Sequence, residues 1–279
     1  MRIICDSMAD VPKNIIEKHN IKVLPLTILV DDKEYLDGVD LTHKEFYHIL
    51  RNNETIPKTS QVTYATFLET FEEATANGEE VLYIGGSSSA SGTFQSATMA
   101  KNDATQKEKI YLFDTYSLSV CAGLFVVKAC ELKEKGLSIA EIVNILEELK
   151  GSETGVFFVD DLKHLQKGGR ISATKANIGT LLKIKPILTL ENGIVAPHSQ
   201  VRGTKQVYSS MMNVTLEKES DLQDRIILIG YCDNNKDLEG FKSTLEHYID
   251  LNSKNIHFVQ IGAGISSHSG PSIVGIGTL

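Results

Sequence analysis

The chain has 279 residues, 42% of them hydrophobic, and a formal net charge of −8 from 28 Lys and Arg against 36 Asp and Glu. An acidic chain without a long Lys/Arg run lacks the basic face that nucleic acid requires. No stretch approaches the roughly 18 to 20 apolar residues of a membrane span, so neither nucleic acid nor an integral membrane segment is expected, while the length suffices for a full core and for two domains.

The opening Met1-Arg2-Ile3-Ile4-Cys5-Asp6 lacks the apolar stretch and cleavage pattern of a secretory leader, which predicts a cytoplasmic protein. It reads as a strand over 2–6, followed by a helix over 11–19. A hairpin over 26–36, turning at Asp31-Asp32-Lys33, is expected as an insertion on the same sheet. A helix over 42–52 leads to the polar turn Lys58-Thr59-Ser60-Gln61, which follows Pro57 and opens a helix over 64–77. The apolar run Val81-Leu82-Tyr83-Ile84 breaks into Gly85-Gly86-Ser87-Ser88-Ser89-Ala90-Ser91-Gly92-Thr93 and then a helix over 94–102. A strand over 110–113 and helices over 118–135 and 139–150 follow; Gly136 ends the first helix, and Ser138 with Glu141 forms a capping box on the second. Strands alternating with helices predict an α/β fold with a mostly parallel sheet covered on both faces.

Gly151-Ser152-Glu153-Thr154-Gly155 is polar, flanked by Gly and set between a helix and a strand, so the chain divides there into domains at 1–152 and 153–279. The second half has strands over 156–159, 184–190, 194–197, 226–231, 257–261 and 272–276, with helices over 205–217 and 237–251. Asn192-Gly193 between two of these strands signals a hairpin, so this sheet is at least partly antiparallel and mixed. Cys5, Cys121, Cys130 and Cys232 are scattered through mostly apolar segments without C-x-x-C spacing, which predicts reduced core residues and no metal.

The Ser-rich turn at 87–91 offers unpaired N–H groups and hydroxyls to one spot, with a helix dipole behind them. Phosphate, an oxyanion or a carboxylate would each suit such a spot; the plainer reading is a well-capped connection. The Thr59 turn is an N-cap taken alone, yet two such turns at one sheet edge converge where α/β folds bind ligands. Lys167-Gly168-Gly169-Arg170-Ile171-Ser172 sets two cations on paired glycines, Arg202 precedes a helix, and His268 lies in the Gly-rich loop 262–271. No P-loop, complete nucleophile elbow or dinucleotide fingerprint occurs, and His43 and His48 lack helical zinc spacing.

Six segments in this order resemble the DegV family of fatty-acid-binding bacterial proteins. They are Asp6-Ser7-Met8-Ala9-Asp10, Thr59-Ser60-Gln61, Ser87-Ser88 with Ser91-Gly92-Thr93-Phe94-Gln95-Ser96-Ala97, Lys167-Gly168-Gly169-Arg170-Ile171, Lys185-Pro186-Ile187-Leu188, and His268-Ser269-Gly270-Pro271. The resemblance implies a two-domain protein holding a long-chain fatty acid between its domains, without a cofactor or catalysis of its own. Thr59, Ser60, Ser88, Ser91, Gly92 and His268 would form the carboxylate pocket, with Thr59, Ser91 and His268 gripping the head. Some members of the family serve as the binding subunit of a fatty acid kinase, whose ATP-binding subunit makes an acyl phosphate for phospholipid synthesis. Arg170 and Arg202 would then meet that partner or the acyl phosphate.

Two further observations favour a carboxylate. Phosphate sites usually add a Lys or Arg in the same turn, and none occurs between Ser87 and Ser96. Each acyl CH₂ removed from water contributes about 0.8 kcal/mol, so a long tail supplies on the order of 10 kcal/mol before ordering costs. Apolar segments over 118–127 and 181–190 could line the tunnel. The rival from another class is a hydrolase with Ser91 or Ser88 as nucleophile, His268 as base and Asp6 or Asp114 as orienting acid. A third reading is a sugar-phosphate or nucleotide site.

Overall fold

The computed structural model describes residues 1–52, 55–160, 162–171, 184–203, 206–233 and 235–279, the side chains at 235 and 236 excepted. The first half runs β1 (Arg2–Asp6), α1 (Lys13–His19), β2 (Lys22–Leu24), β3 (Thr27–Val30), β4 (Lys33–Leu36), α2 (His43–Asn52), β5 (Lys58–Ser60), α3 (Tyr64–Ala76), β6 (Val81–Gly85), α4 (Thr93–Asp103), β7 (Ile110–Asp114), α5 (Val120–Glu134) and α6 (Ile139–Leu149). The second runs β8 (Thr154–Val159), α7 (Lys163–Gly168), β9 (Ile184–Glu191), β10 (Ile194–Arg202), α8 (Val207–Lys218), β11 (Ile227–Tyr231), α9 (Asn235–Leu245), β12 (Ile256–Gln260), α10 (Ala263–Ser269) and β13 (Ile273–Thr278).

A four-stranded parallel sheet has the order β2-β1-β6-β7. Alternation along its strands sends Ile3, Leu82 and Ile84 to one face, against α5, and Ile4, Val81 and Tyr83 to the other, against Phe67 and Phe71 of α3 and Ala97 of α4. The six-stranded sheet β10-β9-β8-β13-β11-β12 is mixed, since only β11 and β12 pair in parallel. Asn192 and Gly193 join β9 to β10 with φ of 51° and 77°, the left-handed pair that a tight hairpin demands.

Eleven of the fifteen residues of α5 are buried, because the helix lies between the two large sheets. Its cluster joins Ile3 and Leu82 of the first sheet to Phe157 and Leu228 of the second. A Cβ on Gly123 of α5 would lie 2.5 Å from the backbone oxygen of Asp10, so only glycine allows this approach. The turn at 150–153, between α6 and β8, separates the strands of the two large sheets, but the apolar core runs across it.

Four expectations change. The hairpin over 26–36 is not an insertion on the parallel sheet; β3 and β4 form a separate three-stranded sheet with β5. The polar turn at Thr59 is that third strand, because the free edge of β3 pairs Ile28 with Thr59. The Gly-rich loop at 262–271 contains the helix α10, and β10 runs on to Arg202 rather than stopping at Pro197. Lys205, the expected helix start, Ser172 of the basic motif, and residues 181–183 of an expected tunnel segment lie outside the described residues.

Candidate functional site

One cavity lies among the end of β1, the small sheet, the Ser-rich turn, α10 and the inner face of the six-stranded sheet, with about 700 Å³ of space that is partly open to solvent. Met8, Leu118, Phe157, Val159, Leu188 and Ile265 make most of its wall apolar, and Thr59, Ser91, Arg170 and His268 supply a polar group.

The strand period decides which hydroxyl of β5 reaches the site. Thr59 is half-buried and faces α10, where its Oγ1 lies 2.9 Å from His268 Nε2; Lys58 and Ser60 point to solvent. Ser91 Oγ bonds Thr93 Oγ1 at 2.9 Å and accepts the Thr93 N–H at the start of α4. Arg170 donates from Nε to the Ala90 carbonyl at 3.3 Å and from Nη1 to the Gly168 carbonyl, which anchors it beside Ser91. Burial, with Arg170 and then His164 nearby, pushes the His268 imidazolium down to about 4. His268 is therefore neutral near pH 7 and donates a single N–H.

The helix that carries His268 is fixed from the other half of the chain. Asp37 accepts the N–H groups of Ala263 (3.0 Å) and Gly264 (2.8 Å), and Asp10 accepts that of Gly262 (2.8 Å). Both carboxylates are buried, so the first orphan N–H groups of α10 are satisfied by distant side chains rather than by a local cap. Tyr47 of α2 lies 2.6 Å from Ser266 Oγ and donates to the Ile261 carbonyl. Ser119, on the cavity wall with φ of 54°, donates to Asp10 Oδ2 at 2.6 Å.

Burial, against the Ser119 and Gly262 donors and with Asp37 nearby, pushes the Asp10 carboxyl up to about 7. An unfolded Asp titrates near 3.9, so the native state holds a proton that the unfolded state releases between about pH 4 and about 7. This contribution is present at acid pH and lost as pH rises through that window. Asp10→Asn keeps an acceptor for Gly262 and is expected to flatten the decline in melting temperature from pH 4 to pH 7; an unchanged slope would remove Asp10 from the linkage.

The remaining expected site residues lie outside the cavity. Ser88 and Gly92 flank a second, exposed hollow beside Arg170, Ser60 is exposed, and Arg202 is exposed at the end of β10. The N–H groups of the Ser-rich turn are already spent within the protein: Ser87 N–H bonds the Ser117 carbonyl, Ser88 N–H the Asp114 carboxylate, Ser89 N–H the Ser87 hydroxyl, and Ala90 and Ser91 N–H the Ser87 carbonyl. Only Ala90 and Ser91 of that turn line the main cavity. Asp10 was legible only as the end of the opening Asp6-to-Asp10 motif, while Asp37 and Ser119 carried no local signal.

Two large sheets sharing a core, with a mostly apolar cavity beside it, define a two-sheet α/β protein. The DegV family model, described as an uncharacterised protein of that family, matches residues 1–279. The chain belongs to the DegV family. It is 34% identical to Protein DegV of Bacillus subtilis over 276 residues, covering 98% of this chain and 97% of that one. A fatty-acid-binding DegV family protein from Thermus thermophilus matches with a TM-score of 0.89 and 29% identity over 100% of this chain and 99% of the other. A stearic acid-binding protein from Eubacterium ventriosum matches with a TM-score of 0.89 and 27% identity over 100% of this chain and 98% of the other.

Proposed function

We propose that this protein binds a long-chain fatty acid between units at 1–152 and 153–279, as a carrier without catalysis of its own. The observation that carries this reading is the contact of Thr59 Oγ1 with the neutral His268 in the wall of an otherwise apolar cavity. Neutral donors beside Arg170 suit a singly charged carboxylate, and the apolar wall suits its tail. The fatty-acid-binding relatives support the same ligand class. In this reading Thr59, Ser91 and His268 meet the head, with Ser60, Ser88 and Gly92 behind them or at the entrance. The carrier presents the head to an ATP-binding kinase subunit in the cytoplasm for acyl-phosphate formation in phospholipid synthesis, with Arg170 and Arg202 at the contact.

The hydrolase reading meets two physical obstacles. A triad base needs an acid partner and a pKa near neutrality. Among the described residues no carboxylate bonds His268, Asp6 is taken by Tyr83 and the N–H groups of Met8 and Gly86, and Asp114 by the N–H groups of Ser88 and Tyr116. With its imidazolium down at about 4, His268 is a weak base.

Mass spectrometry of protein purified under native conditions is expected to show a bound long-chain fatty acid. Protein that is empty and also fails to take up added fatty acid overturns the reading. For the kinase arm, Arg170→Ala and Arg202→Ala are expected to retain the lipid but lose its phosphorylation by the partner; retained turnover removes the arginines from that contact.

A further inference from the structure

Among the polar side chains that line the cavity, one stands apart. Thr59 and His268 bond each other, Ser91 bonds Thr93, Ser119 bonds Asp10, and Arg170 bonds the carbonyls of Ala90 and Gly168. Ser269, the last residue of α10, also lines the cavity, is 6% exposed, and has a buried hydroxyl oxygen with no hydrogen-bond partner among the described residues. A buried hydroxyl left unpaired destabilises a fold, so such a group calls for a partner that the protein alone does not supply.

We propose that Ser269 is an additional donor to the ligand's acid head, completing the set formed by Thr59, Ser91 and His268. The proposal rests on the fatty-acid reading and adds to it a residue and a count. A carboxylate offers about four lone-pair positions. The neutral His268 gives one N–H, Thr59 and Ser91 give one O–H each, the Thr59–His268 bond takes up one of these donors while it persists, and Arg170 is turned with Nε and Nη1 onto the carbonyls of Ala90 and Gly168. Ser269 follows His268 directly on the same short helix, so the anchoring of α10 by Asp10 and Asp37 positions both residues together. Its hydroxyl donates a hydrogen bond to a carboxylate oxygen, and no covalent step is involved. A fatty alcohol of equal length presents the same tail without the anion, and so does not reward this donor in the same way.

The test is titration of wild type and Ser269→Ala with sodium myristate and with tetradecanol, alongside thermal unfolding of the ligand-free proteins. Losing one charge-assisted bond is expected to weaken myristate about tenfold, to leave tetradecanol within about twofold, and to leave the ligand-free melting temperature unchanged or raised, because a buried unpaired hydroxyl has been removed. Equal affinity of the two proteins for myristate overturns the proposal, as does an equal loss for both ligands, which would mark a packing defect. A lower ligand-free melting temperature also overturns it, since the hydroxyl would then have a structural partner. Wild type that binds neither probe overturns the fatty-acid reading and this proposal with it; wild type that binds myristate while Ser269→Ala matches it overturns only the Ser269 assignment.

Discussion

Replacing Asp37 with alanine is expected to destabilise the protein by about 2–4 kcal/mol, one of the two largest effects the structure predicts. The substitution strips the acceptor from the buried N–H groups of Ala263 and Gly264, and each orphaned group costs about 1–3 kcal/mol. Part of this is offset because the buried carboxylate, whose pKa burial raises, no longer has to be desolvated. At about 2–4 °C per kcal/mol for a chain of this size, the melting temperature should fall by roughly 5–15 °C. Because the same helix carries His268, lipid affinity measured well below the melting point should fall too. Asp37→Asn, which keeps one acceptor, should lie between the two. A melting temperature within about 2 °C of wild type, a shift below 1 kcal/mol on the same scale, would show that α10 stands without this anchor.

The second large effect is on the tail. Ile265 lines the cavity one helical turn before His268, on the same face of α10. Ile265→Trp should fill space that the chain needs. If three or four methylenes are displaced at about 0.8 kcal/mol each, affinity for stearate falls about 100-fold. Decanoate, which needs less of the channel, should lose far less. Titration of both acids decides the matter: an equal loss for the two, or none, would mean that Ile265 does not border the tail.

The parts of this fold legible in the sequence are those written locally. The parallel strands show as short apolar runs, α6 by the capping box at Ser138 and Glu141, and the β9–β10 hairpin by Asn192-Gly193. β5 and α10 were hidden because neither is decided by its own residues. Lys58-Thr59-Ser60 is too short and polar to read as a strand until β3 offers it an edge, and the helix at 263–269 depends on carboxylates more than 200 positions away.

The same distinction governs the site. Thr59, Ser91 and His268 could each be noticed as a hydroxyl or imidazole at the end of an element, and the structure brings all three to one cavity. What the residue order hid is which neighbour faces inward. Ser60 lies one position from Thr59 and points outward because a strand alternates, and Ser88 belongs to a turn whose N–H groups are already taken by Ser87, Asp114 and Ser117. Asp37, before Gly38, reads as an ordinary turn residue; its role exists only through contact with α10.

A helix whose first half has no wet face makes a poor hinge. Since α5 lies between the two large sheets, drawing them apart would bare its flanks to water along much of its length, at about 25 cal/mol for each Å² exposed. A fatty acid bound as proposed would therefore leave through local loosening near the rim rather than by the halves swinging open like jaws. On the fatty-acid reading, unloading would then be limited by that loosening and not by separation of the sheets.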